Sequence, residues 1–226
     1  MKFLYKYPQK KFPYQDLVDE SARRSRQERE YQLMDTGIFD EDRYWDIFIE
    51  TAKEENDPEE LLFRVTAWNR GPDPAPLHIL PHMWFRNTWA WGREPPENKP
   101  SLGAVAEGMV MTDHHKLGRQ YLLVSPSPGV GSSGQDVVPE MIFTENDTNY
   151  EKLYDGKNPT PYVKDAFHRH VVNGEKGAVN PAMKGTKCAA WFPFNETGGV
   201  VPGECAGTTP VSSAPYGYWK LTNWLP

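Results

Sequence analysis

The sequence predicts a mainly β protein: an antiparallel sandwich or supersandwich fragment with two helical excursions. Three observations lead there. Segments at 44–51, 61–69 and 77–85 alternate apolar and polar residues with the period of two that a half-buried strand requires. The chain carries 21 prolines and 18 glycines, enough turn formers to favour short strands over long helices. Only two stretches show the apolar spacing of a helix.

The first stretch, residues 14–30, predicts a surface helix, because Leu17, Val18 and Ala22 make a narrow apolar stripe and charge covers the rest. A loop follows, broken at Gly37. In "YWDIFIET", Trp45, Ile47 and Ile49 share one face, with Asp46 and Glu50 on the other. In "LLFRVTAWNRG", Leu61, Phe63, Val65 and Ala67 face inward, and Arg64, Thr66 and Trp68 outward. In "LHILPHMWF", Leu77, Ile79, Met83 and Phe85 oppose His78, His82, Trp84 and Arg86. Short charged or Gly/Pro-rich turns join these three, so they are expected to form an antiparallel meander with one buried face. A further hairpin is expected over 108–127, a flexible loop over 126–138, and strands at 140–147 and 186–194. The second helix is expected over 160–174. Thr160 caps it, Pro161 opens it, and Val163, Ala166, Phe167, His170 and Val171 form its apolar face; Gly174 ends it. From Gly198 the tail changes character: 29 residues rich in Gly, Thr, Ser and Pro carry only two charges, Glu204 and Lys220.

Composition narrows the function classes. A net charge of −6 gives no basic footprint for nucleic acid. No stretch approaches the roughly 18–20 apolar residues of a membrane span, and no signal-peptide run opens the sequence, so a cytoplasmic protein is expected. Cys188 and Cys205 have no metal-binding spacing and read as reduced thiols, a disulfide between them being the alternative. The Asn-x-Thr triplets at Asn146 and Asn195 matter only in a secreted protein.

The unusual chemistry lies in "HMWFRNTWAWG", residues 82–92. Trp84, Arg86, Asn87, Trp89 and Trp91 combine flat apolar rings with a guanidinium and an amide, the groups that grip the C–H faces and hydroxyls of sugars. Packing against another domain is the competing reading of the same residues. The carboxylates of "FDEDRYWD" and Glu50 fix no acid–base pair and read as surface charge. His114 and His115, adjacent on a strand, and His168 and His170, two apart on a helix, point apart and make poor chelates. No metal, cofactor or catalytic residue is expected, for the sequence lacks GxSxG, HExxH, a P-loop and a strand-linked GxGxxG.

Longer motifs carry a resemblance. "YKYPQKKFPYQDLVDE", "ELLFRVTAWNRGPDPAPLHILPHMWFRNTWAWG", "MIFTENDTN", "YVKDAFHRHVVNG" and "AVNPAMKGTKCAA", in order from Tyr5 to Ala190, resemble glycoside hydrolase family 63-like glucosidases, relatives of the mannosyl-oligosaccharide glucosidase. The resemblance implies a β-sandwich that precedes an (α/α)6 toroid, with an inverting pair of carboxylates in the toroid. On that reading residues 1–197 are a partial N-terminal sandwich, truncated before the toroid, and 198–226 a divergent tail. The chain is then expected to be inactive alone. Its expected partners are the toroid, an oligosaccharide or a second copy, met through Trp84, Arg86, Asn87, Trp89 and Trp91, unless Tyr216, Tyr218, Trp219 and Trp224 of the tail cover that face. A stand-alone carbohydrate-binding module and a protein-interaction domain are the alternatives.

Overall fold

The computed structural model describes residues 1–57, 59–127, 136–197 and 216–222, with side chains through residue 194. The fold is mainly β. In chain order its elements are β1 (Lys2–Pro8), α1 (Tyr14–Arg23), β2 (Tyr44–Lys53), β3 (Leu61–Asn69), β4 (Ala75–Ile79), β5 (His82–Trp84), β6 (Ser101–Ala106), β7 (Met109–His114), β8 (Gly118–Val124), β9 (Glu140–Thr144), α2 (Tyr150–Tyr154), α3 (Ala166–Asn173), β10 (Lys184–Gly185), β11 (Lys187–Thr197) and β12 (Tyr216–Thr222). Eight strands form one sheet in the order β1-β2-β3-β12-β8-β7-β6-β10, and four form a second around β11. Every strand pair is antiparallel.

Alternation places the expected residues inward, but the expected meander is not one sheet. β2 and β3 pair as neighbours, with Ile47 opposite Ala67 and Ile49 opposite Val65. The third segment leaves them and joins the second sheet. There β4 and β5 keep one register along β11, with Ile79 opposite Phe192 and His82 opposite Ala189. Pro81 between them still accepts a bond from the Ala190 N–H at 3.0 Å, but it has no N–H to return, and the strand splits there. The two inner faces meet across the sandwich. Trp45, Ala67, Leu102, Val110, Leu122 and Val124 of the larger sheet pack on Leu77, Phe143, Cys188, Ala190, Phe192 and Phe194 of the smaller, with Phe85 just beyond β5. Phe63, Val65, Ile47, Ile79 and Met83 pack against this cluster from its margins; Ile49 does not join it. The sheets connect where β10 runs into β11. A Cβ on Gly185 would collide with the Thr144 carbonyl oxygen, so only glycine permits that approach.

Sequence periodicity overestimates both expected helices. α1 ends at Arg23, and Arg24 is already extended with ψ 140°. No apolar residue between Ala22 and Tyr31 could anchor further turns, and a short helix without packing does not hold. The second helix begins at Ala166, not at Thr160, because 162–164 is drawn into other bonds. Tyr162 O accepts the Glu145 N–H (3.0 Å), Val163 O accepts the Thr144 hydroxyl (2.9 Å), and the Lys164 N–H donates to Asp147 O (2.9 Å). The Thr160 hydroxyl closes a local turn on the Tyr162 N–H instead of capping a helix. The C-terminus agrees with the sequence, with Gly174 in the left-handed region at φ 70°. α3 lays Phe167 and Val171 on the outer face of the smaller sheet against Ile142, Ala189 and Trp191, a second small core.

β1, β6 and α2 carry no clear sequence signal. The tail contributes β12, whose backbone lies between β3 and β8 with Trp219 opposite both Phe63 and Val124. The flexible loop expected at 126–138 falls mostly outside the described residues, as do Cys205 and Trp224. No helix among the described residues is long and apolar enough to cross a membrane.

Candidate functional site

β5 aims Trp84 outward and sends Phe85, 5% exposed, into the core. Strand alternation then stops. Thr88 is helical in φ and ψ, Trp89–Trp91 make one 3-10 turn, and Gly92 closes it at φ 63°. The turn is pinned from beneath. The Asn87 side-chain oxygen accepts the Ala90 N–H at 3.0 Å, while its Nδ2 donates to Asn146 O (2.9 Å) and Asp147 Oδ1 (2.8 Å). Trp89 Nε1 donates to the same Asp147 oxygen at 3.1 Å. Asn146 Nδ2 holds the Phe85 carbonyl at 2.8 Å. The Thr186 hydroxyl accepts the Asn146 N–H and donates to Glu145 Oε2, each at 2.8 Å. Lys99 Nζ reaches Glu145 at 3.1 Å and Asp147 at 4.0 Å. Asn146 and Asp147 are buried, so this network is sheltered from water and fixes one backbone path for 85–90.

The five expected residues divide in two. Asn87 and Trp89 turn inward and join through Asp147; Trp89 also packs against the main core. Trp84 and Trp91 remain outside, 52% and 51% exposed. Arg86 sets its guanidinium 5.1 Å from the centre of the Trp91 ring, and Arg93 lies 5.6 Å from it. Neither arginine makes an ion pair among the described residues. Trp84 stands across the ladder from Lys187. The outer surface here offers two indoles and two guanidiniums that have no ion pair among the described residues, on a rigid base; the Lys187 ammonium is instead turned to the Lys164 carbonyl (3.3 Å) and the Phe167 ring. Such a set can stack on a flat apolar face and donate hydrogen bonds to hydroxyls or carboxylates. Tyr216, Tyr218 and Trp219 lie in β12, beyond the described side chains.

Asp147, Glu145, Asn146 and Arg93 were not legible as site residues. Asn87 and Asp147 are 60 positions apart, and nothing local marks the pair. The one signal was the polar triplet "END" directly after an apolar strand. The glycosylation triplet at Asn146 is spent on this network, with its side chain buried and bonded.

The other candidate groups are accounted for locally. Asp46 and Glu50 take part in ion pairs across the sheet, Asp46 with Lys6 (2.8 Å) and Arg70 (2.7 Å), Glu50 with Arg64 (2.7 Å). Asp46, expected on the exposed face, is nonetheless buried, because those two side chains close over it. Arg43 bridges Glu41 and Asp73. His114 and His115 do not point apart. β7 ends at His114, so the rings stack at 4.7 Å beside Glu94, which Lys116 also pairs at 3.1 Å. Among the described residues no three His, Cys, Asp or Glu side chains are grouped to hold a metal. Cys188 is fully buried, and burial pushes its thiol up to about 12, so it is an inert core group. A polar cleft of about 700 Å³ lies elsewhere, between Asn149, Lys152, Asn158, Thr160 and Arg169.

No family model matches the chain. It is similar to Uncharacterized protein YMR196W of Saccharomyces cerevisiae, 39% identical over 225 aligned residues that cover 90% of this chain and 20% of the yeast protein. The chain therefore spans about a fifth of the length of that curated relative.

Proposed function

We propose that the chain is the non-catalytic N-terminal β domain of a family 63-like α-glucosidase. Its Trp84–Trp91 surface meets a catalytic (α/α)6 toroid, or the oligosaccharide held at the mouth of one. The observation that carries this reading is the outward pair Trp84 and Trp91, half exposed above a backbone pinned by Asp147, with Arg86 and Arg93 beside them and in no ion pair among the described residues. Large exposed rings with arginine are the composition of an interface centre or a saccharide platform, not of an ordinary surface. The antiparallel sandwich suits the domain that the motif resemblance implies. The length of the yeast relative leaves room for a larger second unit.

Inverting glycoside hydrolysis needs one carboxylic acid to protonate the leaving oxygen and one carboxylate to activate water. In this proposal the toroid supplies both, and the β domain positions and shields. The purified chain should not hydrolyse α-glucosides. Turnover that disappears on changing one of its own Asp or Glu residues would overturn the proposal. The same reading places the protein in the cytoplasm, with Cys188 a buried free thiol; a tagged chain found outside the cell would contradict it.

The exposure of Trp84 and Trp91 also favours a second reading, a stand-alone carbohydrate-binding module. Titration with malto-oligosaccharides, followed by tryptophan emission, separates a module that binds saccharide alone from a surface that meets only the toroid. Saturable change in the chain alone supports the module. No change leaves the surface to a protein partner.

A further inference from the structure

The inner face of the eight-stranded sheet extends beyond the second sheet. Phe3, Tyr5 and Tyr7 of β1 lie opposite Ile49, Ile47 and Trp45 of β2, and so belong to the core-facing side. Trp45 is 1% exposed, yet Phe3, Tyr5 and Tyr7 are 52%, 53% and 45% exposed. β1 is also an edge strand, with β2 on one side and no described strand on the other. Its backbone phase follows from its two ends. The Thr51 N–H donates to Met1 O, and the Gln9 N–H to Arg43 O. Antiparallel bonding alternates, so Phe3, Tyr5 and Tyr7 turn their peptide groups to β2, and Lys2, Leu4, Lys6 and Pro8 turn theirs outward.

Edge strands are normally blunted by lysine charge, by proline or by a bulge. Here the lysine charges are compensated within the sheet, Lys6 by Asp46 at 2.8 Å and Lys2 by Glu50 at 3.4 Å. The β1–β2 register is unbroken, and the only proline is Pro8 at the strand's end.

We infer that β1 is the docking edge for a second copy of this chain, the two strands pairing antiparallel about a two-fold axis at Tyr5. The strand is self-complementary in that register. Tyr5 meets Tyr5 of the second copy, Phe3 meets its Tyr7, Leu4 its Lys6 and Lys2 its Pro8. Aromatic faces aromatic, and no lysine faces a lysine. Leu4 and Lys6 exchange backbone bonds through their outward groups. Pro8, without an N–H, accepts from Lys2 only, at the end of the ladder. The half-exposed rings of both copies would together bury on the order of 600 Å². The strand backbone and Leu4 add to this, towards the lower bound of specific interfaces at about 1,000–1,200 Å². The dimer is accordingly of micromolar strength. It uses a surface different from Trp84–Trp91 and does not depend on the glucosidase reading.

Sedimentation velocity of the chain and of Leu4→Pro tests it. Proline at 4 removes an outward N–H and no bond to β2, so circular dichroism and melting should match the wild type. The wild type should dimerise with a Kd on the order of 10 µM, and Leu4→Pro should weaken this at least about tenfold. In a Cys205→Ser background, with Cys188 buried, Tyr5→Cys should form an intermolecular disulfide on mild oxidation. Tyr5 sits in a non-hydrogen-bonded pair with Cα atoms roughly 4.5 Å apart, within the about 4.4–6.8 Å a disulfide spans. Leu4→Cys, which does not meet itself, should not cross-link. A wild type that stays monomeric to about 100 µM, a Leu4→Pro dimer of unchanged affinity, or cross-linking at position 4 in preference to 5 would overturn the inference.

Discussion

Asp147 decides which tryptophans of the aromatic segment face water. It is 7% exposed and takes one donor from Asn87 and one from Trp89 through a single oxygen. Asp147→Ala would leave the half-buried Trp89 indole N–H without its acceptor and remove one of the two acceptors of the Asn87 Nδ2. The expected cost is about 1–3 kcal/mol, read as a lower urea midpoint with a shift in tryptophan emission as the turn loosens. Asp46 sets the acid limit of the larger sheet. Burial raises its carboxyl, but hydrogen bonds from Lys6 and Arg70 outweigh that and hold it below the ordinary 3.8. Folding therefore gains from this group at pH values above about 3.8, and the gain fades as pH falls from there through the lower folded value. Asp46→Asn should lose about 1–3 kcal/mol at neutral pH, and its stability should fall less steeply than the wild type's below about pH 4. Parallel acid limbs in the two proteins would contradict the assignment.

Among the elements, what was legible followed how local the cause is. β2 and β3 alternate, so most of their inward residues read directly from the sequence, whereas β11 is a run of apolar residues whose two faces do not. "SLGAVA" is a strand of small residues with no contrast between its faces, and β6 went unseen. Which strands pair was also not legible. β4 and β11 are more than 100 residues apart, and β12 sits in a tail whose composition suggests no strand. The same non-local cause shortened the second helix, since 162–164 bonds to 144–147. In the candidate site the residue types were visible, but the tether through Asp147 and the split between inward Trp89 and outward Trp84 and Trp91 were not. The sandwich also ranks its phenylalanines. Phe143, 1% exposed, lies at the centre of the core, and Phe63 lies at its margin, partly exposed. Phe143→Ala should cost roughly 3–5 kcal/mol and Phe63→Ala clearly less, by urea denaturation. Equal costs would mean that the β3 margin is as tightly packed as the centre.

For the whole molecule, the two sheets and α3 form a scaffold that carries chemistry-bearing side chains outward on one short segment and an unfinished aromatic edge on β1. Of the carboxylates singled out by the sequence, Glu41, Asp46 and Glu50 are engaged in ion pairs; Glu145 and Asp147 are held in the buried tether, an arrangement suited to positioning a partner. Whether the Trp84–Trp91 surface is an interface is tested most directly by mixing the purified chain with the yeast relative's polypeptide from which the matched fifth has been deleted. Association is followed by sedimentation for the wild type and for Trp91→Ala. Saturable binding of the wild type, weakened at least about tenfold, or about 1.4 kcal/mol, by Trp91→Ala, is the predicted result. No association, or the same affinity in both proteins, would contradict it.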